Sequence, residues 1–129
     1  MRIIQFCPDD YPSSGVNTFA TELNAALIEA GVDSRIVRNV SGLTAADVMH
    51  IHGLWLKSMH QASVWARKRN IPVVWSTHGM TAPWSMRHKR WKKILAWWLY
   101  QRRDLQHAAV LHSTSEQERE WNAKLLVGS

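Results

Sequence analysis

Histidine, serine and glycine recur where short runs of β-type residues end, and these are the places where the chain could do chemistry. His52-Gly53-Leu54-Trp55 closes the run Val48–His52, Ser76-Thr77-His78-Gly79-Met80 closes Val73–Ser76, and His112-Ser113-Thr114-Ser115 closes Ala109–His112. A neutral imidazole at His78 can hydrogen-bond a sugar hydroxyl or stabilise charge at a reacting centre. The competing reading is a histidine that only satisfies loop carbonyls. His52 carries the same two readings. Trp55 can stack on a sugar or a lipid, or simply pack the next helix. A fourth segment, Ser13-Ser14-Gly15-Val16-Asn17, opens a helix. Free N–H groups at a helix start attract anions, and Gly15 permits close approach of a phosphate. The local sequence favours the plainer reading, an ordinary loop with Ser14 as helix N-cap. The G-x-G-x-x-G and Walker A patterns are both absent. His50 and His52, two apart on a strand, are assigned to opposite faces, and no C-x-x-C or H-x-x-x-H spacing occurs. No metal and no cofactor are therefore expected. No Ser-His-Asp set assembles by motif either.

The most distinctive segment runs from Trp84 to Arg103. It holds Arg87, Lys89, Arg90, Lys92, Lys93, Arg102 and Arg103, seven of the chain's 16 lysines and arginines, and no acid. Trp91, Ile94, Leu95 and Trp98 share one helical face, which is expected to cover the sheet. Arg90, Lys93 and Trp97 share another, which suits an anionic membrane surface. Nucleic acid would accept such a basic patch as well, but no nucleic-acid motif accompanies it, so no specific nucleic acid is expected.

These residues need elements to position them, and the hydrophobic patterning supplies those elements. Ile3–Cys7, Ser34–Val37, Val48–His52, Val73–Ser76 and Ala109–His112 read as strands. Val16, Phe19, Ala20, Leu23, Leu27 and Ala30 recur at helical spacing, and Gly31 stops that helix. Trp55, Met59, Ala62 and Ala66 give a second helix its apolar face, which ends at Asn70 before Pro72. A third helix runs from about Trp84 to Gln106. Ser115-Glu116-Gln117-Glu118 has the form of a capping box that opens a fourth. Strands alternating with helices imply an α/β fold, a Rossmann-like three-layer sandwich around a parallel sheet. The expected strand order is 3-2-1-4-5. In such a sheet ligands bind beyond the carboxyl ends of the strands, where the histidine and glycine segments fall.

The composition bounds the rest. The 129 residues suit one domain, 1–129, with 46% apolar and 20% charged content. The lone cysteine, Cys7, fits a reducing compartment. The apolar run after Met1 is broken at Pro8 and is too short for a signal peptide or a span. The expectation is a cytoplasmic protein, peripheral at most on the inner face of a membrane. A net charge of +6 favours anionic partners.

Four segments in order resemble the amino-terminal, acceptor-side domain of glycosyltransferase family 4, which has the GT-B fold. They are Pro12-Ser13-Ser14-Gly15 before a helix ending at Gly31, and His50-Ile51-His52-Gly53-Leu54-Trp55. The third is Ile71 to Met80 with Pro83-Trp84 soon after, and the last is Leu111 to Glu118. The resemblance implies retaining transfer of a sugar from a UDP- or GDP-sugar to a polysaccharide or lipid-linked acceptor. It implies that Gly15 approaches the donor phosphates, although the family usually has two consecutive glycines there and this chain has Gly15-Val16. It implies that His78 lies near the transferred sugar, and that His52 and Trp55 belong to the acceptor side. The basic helix would match a membrane-facing element. The chain ends at Val127-Gly128-Ser129, so the donor-binding domain is expected to be absent and the protein to be catalytically incomplete alone. A sheet edge left open would invite self-association. The alternative reading is a standalone basic α/β module that docks on anionic membrane or lipid-linked glycan.

Overall fold

The computed structural model describes residues 1–8, 14–78, 80, 86–87, 89–113 and 115–127. Pro12 and Ser13 of the first loop, Gly79, Pro83, Trp84, Thr114, Gly128 and Ser129 lie outside the described residues. Five strands form the sheet: β1 (Arg2–Phe6), β2 (Asp33–Val37), β3 (Val48–His52), β4 (Val73–Ser76) and β5 (Val110–His112). Helix α1 (Ser14–Glu29) follows β1, and α2 (Lys57–Lys68) follows β3. After β4 come α3 (Arg90–Ala96), a π-helical turn (Trp97–Gln101) and α4 (Arg102–His107), with α5 (Glu116–Val127) after β5. Every strand pairing is parallel. The sheet with its helices is the α/β, Rossmann-like architecture that the alternating pattern predicts.

The strand order is β2-β1-β3-β4-β5, which corrects the expected 3-2-1-4-5. Alternation of strands and helices dictates a parallel sheet but not which strands are neighbours. Burial decides that here. Strand β3 is buried at four of its five positions and suits the sheet interior, whereas β2 exposes Asp33 and Arg35 and suits an edge. The connection from β2 to β3 contains only a short 3-10 turn, Val40–Gly42, which Asn39 caps by accepting from the Gly42 N–H at 3.0 Å. The Asp47 carboxylate accepts the Arg2 N–H at 2.7 Å, tying that connection to the start of β1.

The two faces of the sheet differ. One presents Ile4, Phe6, Val37, Met49, Ile51, Val73 and Trp75, which pack with Met59, Ala62, Ala66, Trp97 and Leu105 of the helices into the main core. The alternate positions, Gln5, Ser34, His50, His52 and Ser76, are buried and polar. Helix α1 is joined to that side, since the Ser34 hydroxyl donates to Asn24 at 2.6 Å and Phe19 meets three of the histidine rings. Val16 and Ala20 of α1 pack with Cys7 in a small second apolar cluster. Gly31 (φ +88°) and Asn70 (φ +56°) end α1 and α2 in left-handed conformation.

The long helical segment has the opposite facing from the one expected. Trp97 is buried in the main core, with its ring 6.5 Å from that of Trp55. Trp91, Ile94, Leu95, Trp98 and Leu99 are exposed, Leu99 to 71%. Of the proposed membrane face, Arg90 is exposed, Lys93 half-buried and Trp97 enclosed. Trp97 therefore cannot face a membrane. Polar anchors turn the helix this way. The Gln101 Oε1 accepts the Trp55 N–H at 2.8 Å, and the Tyr100 hydroxyl donates to the Trp55 carbonyl at 2.5 Å. Asp104, fully enclosed, accepts from Arg67 at 2.8 Å and pairs with His60 at 2.7 Å. A buried carboxylate requires such partners, and α2 supplies them only if this face points inward. Among the described residues no helix is long and apolar enough to cross a membrane.

Candidate active site

Four histidines meet at the carboxyl edge of the sheet. His50 and His52 come from β3, His112 from the end of β5, and His78 from the turn after β4. The His50 and His52 rings stack with centroids 4.0 Å apart. Their assignment to opposite faces is thereby corrected: side chains on a strand repeat every two residues, so positions 50 and 52 share a face.

Two hydrogen-bonded chains run through the cluster. In the first, His52 Nε2 lies 2.6 Å from Gln5 Oε1, and His52 Nδ1 lies 3.0 Å from His78 Nε2. The Gln5 carbonyl oxygen can only accept, so His52 carries its proton on Nε2. Its Nδ1 then accepts from the His78 Nε2–H, so the remaining lone pair of the His78 ring is on Nδ1. In the second chain the Ser76 hydroxyl lies 2.6 Å from His50 Nε2 and 2.9 Å from His112 Nδ1. Phe19 closes over the group, edge-on to His78 at 4.9 Å.

The electrostatics follow from burial. Desolvation and the neighbouring His112 and His78 push His50 down to about 4. Desolvation, then His50, His78 and His112, lower His52 further. Desolvation also lowers His78, against an opposing pull from the Glu118 carboxylate. His50, His52 and His78 are therefore neutral imidazoles near pH 7. Among the described residues no group of three His, Cys, Asp or Glu side chains is arranged to hold a metal ion.

The site residues expected from sequence fare differently. His52 is fully buried, so it reaches a ligand only through His78. His78 is half-buried at the edge, with φ +50°, a conformation that surrounding contacts must impose on a non-glycine residue. Trp55 is half-buried with φ +79°, and its indole N–H is enclosed without a partner. Gly15 is exposed in the first turn of α1, two residues before Asn17, which accepts from Arg38 at 2.5 Å.

Several residues of the site were not read from sequence as functional. Gln5 stands out as the polar residue within an apolar strand, and its register partner His50 is the same signal one strand over. Phe19 reads only as part of an apolar helix face. Glu118 reads as a capping-box member. Its N–H does donate to Ser115 Oγ at 3.1 Å, but its carboxylate, buried to 1% exposure, accepts from the Thr77 hydroxyl. Nothing local in the sequence joins Glu118 to Thr77.

Two clefts flank the sheet. One, of about 430 Å³, lies along β5 and is lined by His112, Ser113, Ser115 and Arg119 among others. The other, of about 400 Å³, opens at the start of the strands by Arg2 and Asp47. Only the first adjoins the histidines and the ligand-binding edge of a parallel sheet.

The glycosyl transferase 4-like domain family matches residues 38–127. No curated protein matches the chain. Among solved structures, it is similar to the sugar isomerase domain of an RpiR transcription factor from Sphaerobacter thermophilus, at 16% identity and a TM-score of 0.48, covering 98% of this chain and 66% of that one. A likeness that loose carries no functional argument. The family match spans most of the chain and includes all four clustered histidines and the strands β3, β4 and β5 that position them. The chain belongs to the glycosyl transferase 4-like domain family.

Proposed function

We propose that the chain forms the acceptor-side half of a retaining glycosyltransferase site, moving a sugar from a UDP- or GDP-sugar to a polysaccharide or lipid-linked acceptor. The carrying observation is His78, held by the Gln5–His52 chain at the carboxyl edge of the sheet, in a chain of this family. A neutral imidazole there can accept a hydrogen bond from a sugar hydroxyl. Gly15 in the first turn of α1 would meet a donor phosphate, with the Arg38 guanidinium bonded to Asn17 two residues on. His52 acts on the acceptor side through His78, and Trp55 lines it. On this reading a second domain meets most of the donor's charge.

Binding of UDP, GDP and their sugars, followed by ligand-observed NMR, tests this. Weak binding that is lost in both Gly15→Trp and His78→Ala is expected. No binding by the intact chain at millimolar ligand would remove the donor edge from the reading.

The exposed ridge Trp91, Ile94, Leu95, Trp98 and Leu99 favours a second activity of the same molecule, docking on an anionic membrane. Arg87, Lys89, Arg90 and Lys92 are exposed on or beside the segment that carries it. Aromatic and apolar side chains bordered by cations suit a lipid headgroup layer. On this reading peripheral attachment uses the face opposite Trp97. Self-association through the ridge is the competing use, and light scattering during size exclusion distinguishes the two.

A further inference from the structure

Thr77 and His78 are adjacent, and His78 needs an imposed backbone conformation. Two sets of contacts converge on this turn. One is the Gln5–His52 chain from inside the sheet. The other comes from α5: the Thr77 hydroxyl donates to Glu118, 41 residues further along the chain, and the Asn122 amide donates to Thr77 at 3.0 Å and to Ser113 at 2.9 Å. Thr77, Glu118 and Asn122 are all buried.

We propose that Glu118 is a positioning residue for His78: it tethers the turn through Thr77, and its carboxylate is the counter-charge for the His78 ring. The inference rests on reading His78 as the site's hydrogen-bonding and proton-accepting group. His78 meets His52 of β3 through its hydrogen bond and Phe19 of α1 through its ring, and the titratable groups that act on it through charge are Glu118 of α5, His112 of β5 and His50 of β3. Three of these are imidazoles, which disfavour a second positive charge, and Phe19 is uncharged. Glu118 alone among them is an anion. Every influence on His50 and His52 opposes protonation, namely burial and the neighbouring rings. His78 has one influence in favour, and it is Glu118. The enclosed His52 remains a neutral acceptor that keeps the His78 ring oriented.

The test is a histidine titration of the chain by nitrogen-15 NMR, in wild type, Glu118→Gln and Glu118→Asp. Glu118→Gln keeps shape and hydrogen-bonding capacity but removes charge, so the His78 titration is expected to move to lower pH. Glu118→Asp is expected to return it towards wild type. Exposed His107 serves as the internal reference. An unmoved His78 titration in folded Glu118→Gln would overturn the counter-charge role. If that variant does not fold, Thr77→Val carries the test, because it retains the carboxylate and cuts the tether. Loss of the ring-to-ring nuclear Overhauser contact between Phe19 and His78 is expected, and its persistence would overturn the positioning. No sugar nucleotide is present in these samples. Failure of UDP or GDP binding with the Glu118 effect intact sinks the glycosyl-transfer reading alone, and the converse sinks this one alone.

Discussion

His52 uses both ring nitrogens inside the protein, one toward Gln5 and one toward His78. Replacing it with phenylalanine keeps most of the ring volume but strands the Gln5 oxygen and the His78 N–H. Each stranded polar group costs about 1–3 kcal/mol when buried. His52→Phe is therefore expected to lower stability by a few kcal/mol in urea denaturation and to loosen the His78 ring. A result within about 0.5 kcal/mol of wild type would deny the chain its role. At this scale the candidate histidines were legible, because His52, His78 and His112 end successive strand-like runs. Their mutual contacts were not. The stacking of His50 on His52 follows from the strand period of two, and misassigning that period hid a visible clue. Gln5 was visible for the same reason, as a polar residue on the histidine side of β1.

Helix α4 shows how polar partners choose a facing that apolar spacing leaves open. The segment has two stripes with large apolar residues, one through Trp91 and Trp98 and one through Trp97 and Leu105. Asp104 selects the second, because its carboxylate is enclosed between Arg67 and His60. Burial raises the Asp104 carboxyl, opposed first by its His60 hydrogen bond. Asp104→Ala should cost about 1.5–3 kcal/mol by thermal or urea unfolding, the range for bonds to charged groups. It should also free the α2–α4 junction. The discarded stripe gives the contrary prediction. Leu95→Glu combined with Trp98→Glu touches exposed positions, so stability should change by less than about 0.5 kcal/mol. The same pair should abolish co-sedimentation with phosphatidylglycerol vesicles. Unchanged sedimentation would remove the ridge from membrane docking.

For the whole molecule, the neutral histidine cluster sets the response to acid. His50 titrates at 6.5 when unfolded and at about 4 when folded. Below pH 6.5 the unfolded chain binds protons that the folded site refuses, so stability is present above that pH and is lost as the pH falls toward 4. His50 alone accounts for about 3 kcal/mol of that loss. His52 and His78 add in the same direction. Asp104, raised above the usual carboxylate range, works the other way at the acid end, since there the folded form binds its proton first. Urea midpoints measured from pH 7 to pH 4 should fall steeply, and Gln in place of His50 should flatten the slope. A slope unchanged by that replacement would contradict a neutral buried His50.

What the sequence by itself determined is the set of elements and their edge chemistry. Five β-type runs, the helices between them and the histidines at the run ends are local features, set by side-chain period and by stop residues such as Gly31 and Asn70. What only the tertiary structure decided is adjacency. Strand β3 lies beside β1 because its residues need burial on both faces, while the charges of β2 need an edge. Trp97 points inward because Asp104 and Gln101, on the same face, need the partners that α2 and the Trp55 turn supply. Glu118 meets Thr77 because α5 returns to the end of β4. Each is a pairing between residues far apart in the chain, and burial of a polar group is favourable only once its distant partner is in place.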